Sequence, residues 1–248
     1  MSNEALNSWD KKIMVTKTSA YGMSQGEQAY ERIESLIAHM ELKPGETMTM
    51  ADLQERVSLG RTPVLEAIRK LSDDTLLEVR AGRGVRITPI DLHRERRLLR
   101  IRRDIECFVV ELAIDNASGL VRSQLHQLAR MLRELKSGSD IRPFNELDKR
   151  MDQLLLEAAD EPFVERTLRP LHTTFRRLGY LYQSHLGSEH TVHENVQMHV
   201  DMLDAIIERD TAKALKATHL LMDFMEEMFV PLERDLAPTY LDVSIKPF

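Results

Sequence analysis

A chain of 248 residues, 42% hydrophobic and 30% charged, is long enough for two domains with real cores. No run nears the roughly 18 unbroken apolar residues of a membrane span, the N-terminus lacks the basic-then-apolar order of a secretory signal, and the single Cys107 excludes an intrachain disulfide. The expected location is cytoplasmic, with no membrane partner, and the net charge of -6 argues against nucleic-acid binding by the chain as a whole.

Residues 1–25 are polar, show no sustained period and read as a tail. Tyr30, Ile33, Ile37 and Met40 then recur at helical spacing until Lys43-Pro44-Gly45 stops the helix. Thr49 is placed to cap a second short helix that reaches Val57, and Ser58-Leu59-Gly60 makes a turn. A third helix opens at Arg61-Thr62. Pro63 is tolerated in its first turn because the missing N–H would be unpaired there anyway. Ile68, Leu71 and Leu76 mark its apolar side. Two extended pieces, LLEVR and GVRIT, flank Ala81-Gly82-Arg83-Gly84 and make a β-hairpin with a basic tip. Three short helices and a hairpin within residues 26–90 give a winged helix-turn-helix layout. From Arg61 to Arg86 six bases face four acids, a local positive excess in an acidic chain.

Past Pro89 the strand signals vanish. Asp91 can cap a long helix whose apolar stripe, Leu98, Ile101, Ile105, Phe108 and Leu112, steps by 3, 4, 3 and 4 residues and is expected to be buried. Cys107 lies in the same run and is expected to serve packing. Helical patterns continue over 121–135, 144–160, 162–184, 188–208 and 211–233, punctuated at Gly138-Ser139-Asp140, Asp160-Glu161-Pro162, Gly187-Ser188 and Arg209-Asp210. The fold is therefore expected to be mainly α, with an antiparallel six-helix bundle over 91–235 and a tail over 236–248.

The run L-G-R-T-P-V-L-E-A-I-R-K-L, Leu59 to Leu71, with K-P-G before it and G-R-G-V after it, closely resembles the GntR family of transcriptional regulators. The helical domain is similar to that of its FadR-like branch, which carries a ligand-sensing FCD domain. The resemblance covers about residues 28–235. It implies a DNA-binding homodimer on a short inverted repeat, expected to repress, controlled by a small effector of the organic-acid class and not an enzyme. Arg61, at the start of the recognition helix, is expected to read guanine in the major groove. Thr62 and the first-turn N–H groups are expected to hold a phosphate. Leu65, Arg69, Arg80 and Arg83 complete the expected DNA contacts, with Arg83 at the hairpin tip. Leu65 stands where the family has a second arginine, and Ala51 and Met50 replace an often basic and a usually acidic residue, so the operator is expected to differ from the common one.

In the helical domain the resemblance implies a cavity with a divalent metal on D-x-x-x-H and two later histidines. Asp148 matches the first ligand, Asp152 replaces the first histidine, and His199 matches the second. The last falls on Leu221. His219 lies two residues away, about 160° round the helix. With two nitrogen donors lost, the cofactor expectation is at most one weakly held divalent ion on Asp148, Asp152, His199 and a shifted His219. Arg102 and Glu106 match the family's R-x-x-x-E. Arg102 is the expected clamp for an effector carboxylate, beside Asp148, Asp152 and His199, and a surface pair with Glu106 is the alternative. Arg176 and Arg177 are poorer candidates for that clamp, and His190 and His193 are expected to be exposed. Two other functions fit the sequence: an effector-blind architectural DNA binder, and a metal-dependent hydrolase centred on Asp148, Asp152 and His199.

Overall fold

The structure, a computed structural model, describes residues 22–135 and 140–245. Most of the expected N-terminal tail and the Gly138-Ser139 turn lie outside the described residues. Its elements run α1 (Gln25–Ala38), β1 (Thr47–Met48), α2 (Met50–Val57), α3 (Arg61–Asp73), β2 (Leu77–Arg80), β3 (Gly84–Ile87), α4 (Leu92–Asn116), α5 (Gly119–Arg133), α6 (Arg142–Ala159), α7 (Pro162–His185), α8 (Glu189–Ile207) and α9 (Thr211–Asp235). The contacts divide the chain into two compact units. One is Met1–Ser35 with Thr47–Arg86, the other Leu36–Glu46 with Ile87–Phe248.

In the first unit, α1 begins one residue after Ser24, whose hydroxyl accepts from the Glu27 N–H while the Glu27 carboxylate accepts from the Ser24 N–H. The α1 stripe Ala29, Tyr30 and Ile33 is buried, and the Tyr30 hydroxyl donates to Asp74 just past α3, 2.7 Å away. Helix α2 carries a full capping box. Asp52 N–H donates to the Thr49 hydroxyl and Thr49 N–H to the Asp52 carboxylate, and these bonds hold Asp52 below its ordinary range. Ser58, in a left-handed conformation at φ 52°, ends α2 and makes the turn into α3. The strands order β1-β3-β2, with β1 antiparallel to β3 (Thr47 opposite Arg86, Met48 opposite Val85). Gly84 is required in that ladder. Its φ is +86°, and a Cβ there would lie 2.1 Å from the Met48 carbonyl oxygen.

In the second unit, α4 to α9 pack around one apolar cluster that includes Leu99, Val109, Leu125, Leu154, Phe175, Leu203 and Phe229. The Asp91 side chain caps α4 by accepting from the Arg94 N–H, as expected. The face that α4 buries is not the expected one. Ile101 and Phe108 of the 3-4-3-4 stripe are 52% and 47% exposed. Leu98, Ile105 and Leu112 of that stripe are only partly buried, against the core's edge. The buried side instead carries Glu95, Leu99, Arg102, Glu106, Val109 and Ala113. Hydrophobicity alone picks the stripe, but the charged residues beside it find buried partners across the bundle and so face inward. Cys107 is half-buried, with Sγ 3.8 Å from His219 Nε2, and burial with Glu106 and Asp104 nearby pushes its thiol up, away from reactivity.

The segment past Leu236, expected to be a tail, has defined structure up to residue 245. Pro238–Tyr240 forms a 3-10 turn, Leu236 is buried, the Ile90 N–H donates to the Leu241 carbonyl, and the Val243 N–H donates to the Pro44 carbonyl. No described helix is long and apolar enough to cross a membrane.

Candidate functional site

The first site lies on α3 and the β2–β3 hairpin. Pro63, Val64, Ala67, Ile68 and Leu71 bury one side of α3. That burial turns Arg61, Leu65 and Arg69, spaced by four residues, onto the opposite face. Arg61, Thr62 and Arg69 are exposed, while Leu65 is half-buried, so part of its side chain packs. The cap position of α3 is Gly60, which offers no side chain to the first-turn N–H groups. On the hairpin, Arg83 is exposed between Gly82 and Gly84, both at positive φ, and Arg80 pairs with Glu78 at 3.3 Å. This is an exposed arginine at a helix start and another on a narrow β-turn, the geometry of a recognition helix and its wing.

The second site is a chain of ionic groups buried in the helical bundle. His199 on α8 has Nε2 3.1 Å from Asp148 Oδ1 and Nδ1 2.7 Å from the Asn195 carbonyl. Both partners are acceptors, so both ring nitrogens carry protons in this arrangement. Burial disfavours that charge, but the bond to Asp148 outweighs it and raises His199. Arg176 on α7 donates from Nε to Asp148 Oδ2 at 3.0 Å and from Nη2 to Asp152 Oδ2. His172, one turn earlier on α7, lies between Asp152 and Glu106, its Nε2 2.8 Å from Glu106 Oε1. Arg102 then donates from Nε to the same Glu106 oxygen at 2.8 Å. Burial pushes each carboxylate up. His199 and Arg176 reverse this at Asp148, which sits well below the ordinary range. His172 and Arg102 reverse it at Glu106, held down to about 2. At Asp152 burial prevails, with the neighbouring Asp148 adding to it, and its carboxyl rises to about 6 despite His172 and Arg176.

A cavity of about 30 Å³ opens beside Asp148, Arg176, His199 and Arg102, with Phe144, Phe175 and Met225 among its walls. Arg102 is 4% exposed. Its guanidinium lies over the Phe175 ring, 5.2 Å from the centroid, and Nη1 meets the weakly accepting Met225 sulfur at 3.5 Å.

Of the residues singled out in the sequence, Arg102, Asp148 and His199 line this cavity. Asp152 joins the network behind it through Arg176. His219 is not brought in: it is exposed on α9 beside Cys107, while Leu221 takes the buried position. Glu106 is a buried partner of Arg102, so the surface-pair alternative is overturned. His190 and His193 are exposed, as expected. Arg176, ranked in the sequence only as a poorer clamp, instead bridges the two aspartates, and His172, Asn145 and Gln183 are functional candidates that the sequence pattern does not single out. An Arg-Arg pair on a helix with an apolar face was the available signal, since two buried arginines demand two buried carboxylate sets. Arg177 meets that demand separately, with Nη2 3.3 Å from Glu95 Oε1 and Nη1 donating to the Thr88 carbonyl at 2.8 Å.

The residues do not fit the ion that the family pattern implies. Among the described residues, the set of three acidic or imidazole donors lying within 4.8 Å of one another is Glu106, Asp152 and His172, not Asp148, Asp152 and His199. Each carboxylate of that set already pairs with an arginine.

A winged helix-turn-helix joined in one chain to an all-helical bundle whose cavity sets a few charged side chains among apolar walls defines a class of transcriptional regulator. The comparisons with known proteins agree. Residues 25–87 match the family described as bacterial regulatory proteins, gntR family, and residues 97–224 match the FCD domain. The chain belongs to the GntR family of transcriptional regulators, in the group that carries an FCD domain. It is 29% identical over 187 residues to the HTH-type transcriptional repressor RspR of Escherichia coli K12, covering 74% of this chain and 79% of that one. It is 26% identical over 207 residues to the regulator BphR of Paraburkholderia xenovorans, covering 81% and 82%. Its fold is similar to that of E. coli McbR/YncC (TM-score 0.74, 16% identity, 86% of this chain and 100% of that one). A GntR regulator of Rhodococcus sp. RHA1 has a similar fold too (TM-score 0.65, 17% identity, 84% and 98%).

Proposed function

We propose that this chain is an effector-controlled repressor that binds a short inverted repeat as a homodimer. One observation carries the reading. Arg102, buried in the bundle cavity, turns a guanidinium edge toward the weakly accepting Met225 sulfur, which we read as a site for an effector carboxylate. Repression is the role named for the relative RspR. Arg61 and Arg69 are assigned to base edges or phosphates in the major groove, Thr62 to a phosphate, Leu65 to packing with a thymine methyl in reach, and Arg80 and Arg83 to the flanking backbone or minor groove. Dimerisation is assigned to the α4 stripe. A 3-4-3-4 apolar repeat is the seam of paired helices, and Ile101 and Phe108 on it remain exposed in a single chain. Two recognition helices on a twofold axis then meet two half-sites.

The experiment is a gel-shift titration of the full-length protein on the DNA upstream of its own gene, with and without a panel of small organic acids. Expected is a dimer-sized complex on an inverted repeat that one acid class releases. A complex indifferent to every acid, or a monomer bound at full affinity, would sink the reading.

A further inference from the structure

The polar groups around the cavity do not balance by themselves. Asn145 on α6 is 3% exposed and Gln183 on α7 is 9% exposed, and both line the cavity. Neither side-chain NH2 finds an acceptor among the described residues. The Gln183 side-chain oxygen lies 3.0 Å from the Thr191 hydroxyl, which is also 2.9 Å from the Ser188 carbonyl. The cavity therefore holds two amide donors short of acceptors, beside an Arg102 edge whose Nη1 meets the weakly accepting Met225 sulfur at 3.5 Å. Its carboxylates, by contrast, are fully engaged. Asp148 receives Arg176 and His199, and Asp152 receives Arg176. A divalent ion brought to Asp148 would have to displace the guanidinium or sit beside its charge.

We propose that Arg176 is the resident cation of this cavity in place of a metal ion, and that Arg102, Asn145 and Gln183 receive a small carboxylate bearing a second oxygen acceptor, such as a hydroxy acid. This rests on the reading of the cavity as the effector site. The division of labour follows from the pairing. Arg176 neutralises the two aspartates that would otherwise repel an anion. Arg102 supplies the fork for the carboxylate, and the two amides supply the donors that distinguish an acid with a second oxygen from one without. A space of about 30 Å³ admits only a compact ligand until Met225 and Met228, flexible side chains on its wall, give way.

The test uses full-length protein without DNA, purified without metal resin. Zinc is titrated by calorimetry, and thermal shift is read with glycolate and with acetate, its analogue lacking the hydroxyl, each with and without EDTA. The expected results are no stoichiometric zinc binding, and glycolate binding at least tenfold tighter than acetate and unchanged by EDTA. Asn145→Leu and Gln183→Leu should bring the two acids within about threefold of each other while the melting temperature without ligand stays level or rises, because a donor with no acceptor is being removed. Arg176→Gln should acquire zinc binding on the freed Asp148 and His199. If that variant does not fold, the wild-type zinc titration still decides. One zinc per chain in the wild type, loss of glycolate binding in EDTA, or equal binding of both acids would each overturn the proposal. Operator release by an acid that depends on zinc would leave the regulatory reading standing while removing this one. Glycolate binding that never alters operator affinity would do the reverse.

Discussion

Glu95 is the sharpest place to measure what the bundle interior does to a charge. It is fully buried on the first turns of α4, one oxygen meets Arg177 at 3.3 Å and the other, Oε2, has no hydrogen-bond partner among the described residues. Burial raises the carboxyl from 4.5 to about 7, against the pull of Arg177 and Arg94. The folded state therefore holds the Glu95 proton more tightly than the unfolded chain does. A stabilising contribution is present below pH 4.5 and is lost as pH rises through about 7. The gap between these values corresponds to about 3 kcal/mol over the full range. Most of it is traversed between pH 5 and pH 8.5. Glu95→Gln keeps the shape and removes the titration. Urea unfolding of wild type and variant, followed by circular dichroism at half-unit steps of pH, cancels every other titrating group in the difference. The wild type should lose about 2–3 kcal/mol relative to the variant on going from pH 5 to pH 8.5. A difference independent of pH, or one of opposite slope, would show that Arg177 compensates Glu95 completely and that the burial argument is wrong.

Three further outcomes are expected. Arg61→Ala should cost about 1–3 kcal/mol of specific binding and relax one base pair per half-site, whereas Arg83→Ala should weaken all sequences alike and lower the salt slope, both read by fluorescence anisotropy across a salt series. The double change Ile101→Asp with Phe108→Asp should turn the dimer into a folded monomer by analytical ultracentrifugation, since both side chains are already exposed in the single chain; an unchanged dimer would place the interface elsewhere. Thr49→Ala breaks the α2 capping box and should lower stability by about 1 kcal/mol in denaturant unfolding, a loss absent only if α2 is held by packing alone.

The legible parts of this chain were those governed by local rules. The Thr49 cap, the Ser58 turn and Pro63 in the first turn of α3 stand where the sequence puts them, whereas α1 ends at Ala38, short of the expected stop at Lys43-Pro44-Gly45, with Met40 left-handed at φ 60°. The stripe on α4 was misjudged for a physical reason. An apolar row that seals a core and one left for a second chain have the same composition and spacing, and only the partners of Glu95, Arg102 and Glu106 tell them apart. The partners of Glu106 and Glu95, His172 and Arg177, lie 66 and 82 residues away on α7. The ionic chain was half visible for the same reason. Asp148 and His199 follow from register, but Arg176 acquires its meaning only when α6 and α7 pack together.

The shared ownership of residues 36–46 bears on how this regulator can be cut apart. The polypeptide passes between its two units three times, at Ser35, at Glu46 and at Arg86, rather than once. The excursion is tied down by the far end of the chain, through the Pro44 carbonyl and Val243, and Gly45 packs so close to Asp242 that a Cβ would lie 1.9 Å from its oxygen. An excised fragment of residues 26–90 would carry the excursion without the C-terminal strap that holds it. Removing residues 236–248 would release it from the intact protein. A short C-terminal deletion, remote in sequence from every residue assigned to DNA, should therefore loosen residues 36–46, the connection between α1 and β1.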